Sequence, residues 1–242
     1  MQPADRPTFP PLLHGEAAPQ GADPFAKAVS AALTGTDPGL VLYQNEPHRL
    51  RVAVVFTPEA KLEDAMAAVF ATALGFADAL GALAPPEVGV HFDWPRDIRV
   101  NGARCGNLRA AASTSDPTEE PDWLVVSIDV PISPRPDEEP GADPERTWLS
   151  EEGCTEIEPV RLIESWSRHM LVWLNRWMDD GLAPLHSDWC SRAFNIGKEV
   201  VVKAKGVSRH GTFVGLDEKA GMLLREGEQT TLLPLTTMLE DA

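Results

Sequence analysis

Tyrosine occurs once in these 242 residues, cysteine three times, and basic residues 21 times against 37 acids, a formal charge of −16. Each scarcity narrows the field. Cys105, Cys154 and Cys190 lie far apart and form no Cys-x-x-Cys, which argues against a disulfide framework or a zinc knuckle. The acid excess argues against nucleic acid or an anionic membrane as partner, since both need a basic surface. No P-loop, Gly-x-Gly-x-x-Gly or Gly-x-Ser-x-Gly is present. No apolar run is expected to reach the roughly 20 residues of a membrane span. The first fifteen residues are proline-rich without an apolar leader, so a cytoplasmic protein is the expectation.

What is present reads as an alternation of helices and strands. Residues 1–22 read as an extended lead-in. Asp23 followed by Pro24 is a helix start, and Phe25 to Leu33 continues it. Leu40–Tyr43 and Leu50–Phe56 read as strands, the second with apolar residues at every other position. Leu62 to Leu80 has three-and-four spacing and predicts a helix, stopped by Pro85-Pro86. Trp123 to Val130 is a continuous apolar strand. Residues 131–145, rich in proline and acid, predict a mobile loop. Pro159 to Met178 predicts a second long helix. On it Trp166, Trp173 and Trp177 read as packing, and His169 as a satisfied half-buried histidine. Past Ser191–Ala193 the chain turns to short segments separated by Gly206, Gly211, Gly221 and Gly227, the pattern of a small β-barrel or sandwich.

The most informative stretch runs from Phe92 to Gly106. Val88, Val90, Phe92 and Trp94 alternate with smaller or polar neighbours, and Pro95 interrupts the ladder. Asn101-Gly102 is a two-residue hairpin signal, because both positions tolerate positive φ. From Arg96 to Arg109 there are four arginines against one acid. Such a patch in an acidic chain predicts an anion site.

Asp93-Trp94-Pro95-Arg96-Asp97, then Val100-Asn101-Gly102 and Cys105-Gly106, resembles the Lys-Trp-Pro-Asn-Asp … Asn-Gly-Lys-x-x-Gly core of the biotin–protein and lipoate–protein ligases. The resemblance extends in order along most of the chain. Val125 to Val130 stands where the family has Gly-Ile-Asn-Val, with Asp129 for Asn. The stretch 194–200 resembles the entry to the family's C-terminal domain, and 211–224 resembles that domain's ribbon. It implies a mixed α/β domain of the class II aminoacyl-tRNA synthetase/biotin ligase type over residues 23–191, and an SH3-like barrel over 193–242. It also implies ATP with Mg²⁺, biotin or lipoate as the acid, an acyl-adenylate intermediate, and a lysine on a biotinyl or lipoyl carrier domain as acceptor. Mapped onto this sequence, Arg104 is the catalytic candidate. Arg49, Trp94, Arg96, Asp97, Gly106, Asn107 and Asp129 are candidates for binding substrate or nucleotide, and no metal ligands are implied.

Two departures keep other readings open. The family's Gly-Arg-Gly-Arg-x-Gly loop would fall in Tyr43 to Leu50, which contains no glycine; His48 and Arg49 are its charged candidates. The family's lysine falls at Ala103, with Arg104 adjacent, and a guanidinium is not a free substitute for an ammonium. Beside a divergent ligase stand a binding homologue that has lost adenylation, and an acyltransferase with Cys105 as nucleophile, its thiol activated by Arg104. Taken alone, a tryptophan such as Trp94 packs more often than it touches ligand, and Cys105 is of a type usually buried.

Overall fold

The computed structural model describes residues 6–136, 138–139, 141, 143–204 and 206–240. Its centre is a seven-stranded sheet in the order β1 (His14–Ala17), β2 (Leu40–Tyr43), β3 (Arg49–Phe56), β7 (Leu124–Pro131), β6 (Ala103–Ala112), β5 (Asp97–Val100), β4 (Val90–Asp93). All neighbours are antiparallel except β1 and β2. The lead-in therefore contains an exposed edge strand. Between β5 and β6 the turn is made by Asn101 (φ 49°) and Gly102 (φ 93°), the paired left-handed conformation that the dipeptide favours.

Alternation along the strands sorts side chains between two cores. Leu50, Val52 and Val54 on β3, with Val126 and Ile128 on β7, face the larger one. Ala53, Val55 and Val125 face the smaller. The smaller core is closed by α1 (Pro24–Leu33), whose start is capped as expected: the Asp23 carboxylate accepts from the Phe25 N–H at 3.2 Å. On the larger core lie α3 (Ala67–Leu83), α4 (Pro159–Asp180) and α5 (Ala183–Ser191).

The helix expected at 62–80 is interrupted. A single turn, α2 (Leu62–Ala65), leads through Met66 into α3. Residues Ala67–Ala77 of α3 are all buried, because the helix is sandwiched between the sheet and α4 and has no wet face. For the same reason the stretch Leu62–Leu83 is long and apolar enough to cross a membrane, contrary to the expectation of no such run, yet 78% of its most apolar 18-residue window is buried inside the protein. α4 is amphipathic, burying Leu162, Trp166, Met170 and Trp173. His169 is half-buried, with Nδ1 2.8 Å from the Ser165 carbonyl oxygen.

The C-terminal residues form a second, four-stranded antiparallel sheet ordered β11 (Gln229–Leu233), β10 (Met222–Glu226), β9 (Val207–Leu216), β8 (Glu199–Ala204), consistent with an SH3-like module. Its inner side chains, Val202, Phe213, Met222, Leu224 and Leu233, join the larger core. The connection into it is not loose. The Phe92 N–H donates to the Arg192 carbonyl and the Phe194 N–H to the Phe92 carbonyl, so residues 192–194 cover the outer edge of β4.

Candidate functional site

On the α1 side of the sheet, beyond the end of that helix, the strands carry polar groups. There β6 departs from regular pairing. Ile98 pairs with Gly106 and Arg99 with Arg104, which leaves Cys105 as an extra residue, a β-bulge. In an even strand Arg104 would share the face of Gly106 and Leu108, which belongs to the core. The bulge turns it to the opposite face, with Asn107. Asn107 pairs with Asp129, and Asp129 with Arg51. Residues 78 positions apart thus meet on one polar surface.

A cavity of about 640 Å³ opens on this surface. That is a size suited to a small organic ligand. Its floor is Arg104, Gly106 and Asn107 of β6, with Asp97, Asp129 and Arg49 around them. Its roof is the segment after β7, including Glu138, Glu139, Asp143, Arg146 and Trp148. Gly106 is required by close approach: a Cβ there would lie 2.6 Å from the Asp129 carbonyl oxygen.

The roof is the segment expected to be mobile, and the structure ties it at both ends. The Ile132 and Ser133 N–H groups donate to the His48 carbonyl, and His48 Nδ1 lies 2.8 Å from Ser133 Oγ. The Arg104 N–H donates to the Glu145 carbonyl, and the Thr147 N–H to that of Arg104. Residues 137, 140 and 142 of that expectation lie outside the described residues.

The expected cationic patch is corrected by pairing. Each of the four arginines between 96 and 109 faces a carboxylate. Arg96 faces Glu240 (3.7 Å), Arg99 binds Asp93, Arg104 faces Asp97 (3.3 Å), and Arg109 binds Asp23 (2.7 Å) and Glu240 (2.8 Å). Arg49 and Arg51 share the Asp129 carboxylate through their Nε atoms, at 2.5 and 3.2 Å. Arg49 and Arg104 line the cavity. Each presents its Nε to an acid, and the terminal nitrogens of neither are hydrogen-bonded among the described residues. Burial raises the carboxyl pKa of Asp97, and the neighbouring Arg104 charge opposes that rise.

Of the sequence candidates, Arg49, Asp97, Arg104, Gly106, Asn107 and Asp129 come together at the cavity; Trp94 and Arg96 do not line it. Trp94 is buried, and its indole N–H donates to the Ala220 carbonyl at 3.0 Å. Arg96 points to Glu240. Cys105 borders the cavity, but its side chain is wholly buried, with Sγ 3.9 Å from the Pro131 carbonyl oxygen. Burial pushes that thiol far up, and Glu152 adds to the rise. This corrects the expectation of a thiolate activated by Arg104, because a neutral buried thiol is inert. Arg146, Thr147 and Trp148 were missed. A tryptophan closing a proline- and acid-rich stretch was the available signal.

A mixed sheet with helices on both faces, a polar cavity on one of them and a small antiparallel module behind defines an α/β domain of the synthetase–ligase class. Residues 9–191 match the Biotin/lipoate A/B protein ligase family, and residues 202–241 match a domain of unknown function. The chain belongs to the biotin/lipoate A/B protein ligase family. It is 27% identical over 168 residues to a biotin–[acetyl-CoA-carboxylase] ligase of Paracoccus denitrificans, covering 68% of this chain and 69% of that one. A biotin protein ligase-like protein of unknown function from Silicibacter sp. TM1040 superposes with a TM-score of 0.89 at 50% identity, over 97% of this chain and 99% of that one. The biotin protein ligase of Aquifex aeolicus shares the fold at a TM-score of 0.72 and 18% identity, over 93% and 96% of the two chains. That protein has also been solved in complex with biotin and ATP.

Proposed function

We propose that this chain is a divergent biotin-type protein ligase. The cavity takes a carboxylic acid with an apolar body, biotin or lipoate. ATP is the co-substrate, and a carrier-domain lysine is the acceptor. In the first step a carboxylate oxygen attacks the α-phosphorus of ATP, the bond to the bridging oxygen breaks, and pyrophosphate leaves. In the second, the deprotonated lysine amine attacks the acyl carbon and AMP leaves. Both steps gather negative charge, which fixed cations stabilise. We assign this role to Arg104, with Arg49 lining the same cavity; the ion pairs of Asp97 and Asp129 with the two Nε atoms support the assignment. Asn107 and the Gly106 backbone form the floor under the acid. Among the described residues no group of three or more His, Cys, Asp or Glu side chains is placed to hold a metal, so Mg²⁺ would arrive on the nucleotide phosphates.

The observation that carries this reading is the bulge at Cys105, which presents Arg104 to a ligand-sized cavity. One observation favours a second reading, a binding protein without adenylation. The β2–β3 connection, residues 44–48, is short and contains no glycine. It is fastened to the roof through His48 and by the Arg135–Glu46 pair at 3.2 Å. None of its five residues lines the cavity, and it is too short to wrap a triphosphate.

The test is pyrophosphate release with ATP and biotin, lipoate or octanoate, alongside calorimetric titration of each acid. Acid-dependent release that is lost in Arg104→Ala is the expected result. Tight binding of an acid with no release would select the binding protein, and neither binding nor release would overturn both.

A further inference from the structure

We propose that Arg109 and Arg96 form a second anion subsite, held closed by the carboxylate of Glu240, and that a phosphate-bearing ligand opens it by displacing the C-terminal segment. Arg109 grips Glu240 with the Nε–Nη2 edge of its fork: Nε lies 3.0 and 3.1 Å from the two carboxylate oxygens, and Nη2 lies 2.8 Å from Oε2. Arg96 approaches the same carboxylate at 3.7 Å. This is the geometry by which guanidinium receives either a carboxylate or a phosphate.

Three features make Glu240 exchangeable. Strand β5 pairs with β6 only as far as Asn107, and after one further bond, from the Leu108 N–H to the Arg96 carbonyl at 2.8 Å, it leaves the outer edge of β6 from Arg109 onward. Among the described residues, the backbone of the C-terminal segment holds that edge through a parallel bridge, Ala110–Leu239, and a hydrogen bond from the Glu240 N–H to the Ala110 carbonyl at 2.8 Å. The Glu240 and Arg96 side chains are 30% and 40% exposed, so an exchange of anions there takes place in contact with solvent. Arg109 meanwhile does not depend on Glu240 for its pose. Its Nη1 binds Asp23 at 2.7 Å, and its guanidinium stacks on the Phe25 ring at 4.1 Å.

The subsite belongs beside the cavity. Arg109 is two residues along β6 from Asn107 and on the same face, a spacing of about 7 Å. An anion there and a carboxylate at Arg104 would be held by one strand. That the anion is part of a nucleotide rests on the proposed function; the subsite itself does not, and inorganic pyrophosphate tests it without turnover.

The experiment titrates the full chain with pyrophosphate at low ionic strength. Glu240→Gln is expected to bind it roughly tenfold more tightly than the unsubstituted chain, the worth of one charge-assisted contact removed from competition. Arg96→Ala in that background should erase the gain; Arg96 is surface-exposed, and its one ion pair among the described residues is the one already removed. Hydrogen exchange should show the Glu240 amide losing protection as pyrophosphate saturates. Equal or weaker binding by Glu240→Gln, unchanged protection at saturation, or binding abolished by Arg104→Ala but indifferent to Glu240→Gln would each overturn the proposal. Failure of the ligase assay would leave these outcomes untouched.

Discussion

The indole N–H of Trp94 donates to the backbone carbonyl of Ala220 at 3.0 Å, 126 residues away, and fastens the β4–β5 hairpin to the β9–β10 turn of the C-terminal module. With 7% exposure the ring is packing between the two sheets. Trp94→Phe keeps an aromatic face but leaves the Ala220 oxygen without its donor. The expected cost is about 1–2 kcal/mol in urea unfolding, with ligand affinity unchanged. Unchanged stability with lost affinity would return Trp94 to the binding site.

Gly75 sets how closely α3 and α4 cross. A Cβ on it would lie 2.7 Å from the Met170 nitrogen and 2.8 Å from its Cα, and a helix backbone cannot yield as a flexible side chain does. Gly75→Ala gains helix propensity and is nevertheless expected to destabilise the chain by about 3 kcal/mol. A rise in melting temperature would show that the helices separate freely.

The parts of the fold legible in sequence are those written in local pattern. Alternation in Leu50–Phe56, the Asp23-Pro24 start and the Asn101-Gly102 turn each specify their own conformation within a few residues. The site was legible as a neighbourhood, since six of its candidate residues do meet at the cavity. Its electrostatics were not. Arg49 finds Asp129 across 80 residues and Arg109 finds Glu240 across 131, and nothing local in an arginine-rich hairpin announces the acids that answer it. The bulge was equally hidden. Arg104-Cys105-Gly106 reads as even alternation, whereas β6 departs from it to place a buried thiol inward and a guanidinium outward. Helix α5 carries no such local pattern: of its nine residues only Leu185 and Trp189 are buried, too few to write an apolar stripe.

Thiol chemistry follows from burial. Cys105 and Cys154 are 0% and 2% exposed and Cys190 is half-buried, and burial raises all three thiols. At pH 8 a thiol reagent should label Cys190 first, and Cys105 only at the rate at which the chain unfolds. The raised values also tie stability to pH. Above about pH 8.5 the unfolded thiols lose protons that the folded ones retain. The folded state then holds more protons, so stability falls as pH rises through that range. Rapid labelling of Cys105 in the folded chain, followed by mass spectrometry, would reopen its candidacy as a nucleophile.

Two glycines on strands separate a packing constraint from intrinsic propensity. At Gly106 an added Cβ would meet the Asp129 carbonyl oxygen at 2.6 Å and Val130 Cγ2 at 2.8 Å, while at Gly215 nothing lies within 4 Å. Gly215→Ala should be neutral or stabilise by about 0.5–1 kcal/mol, since alanine loses less backbone freedom on folding. Gly106→Ala must push β6 away from β7 where the bulge orients Arg104. It should cost about 1–3 kcal/mol and also weaken acid binding, because a guanidinium shifted by even an ångström loses its alignment on a carboxylate. Chemical unfolding and calorimetry on the two variants check both halves. If Gly106→Ala binds as the unsubstituted chain does, the floor of the cavity is not where the ligand sits.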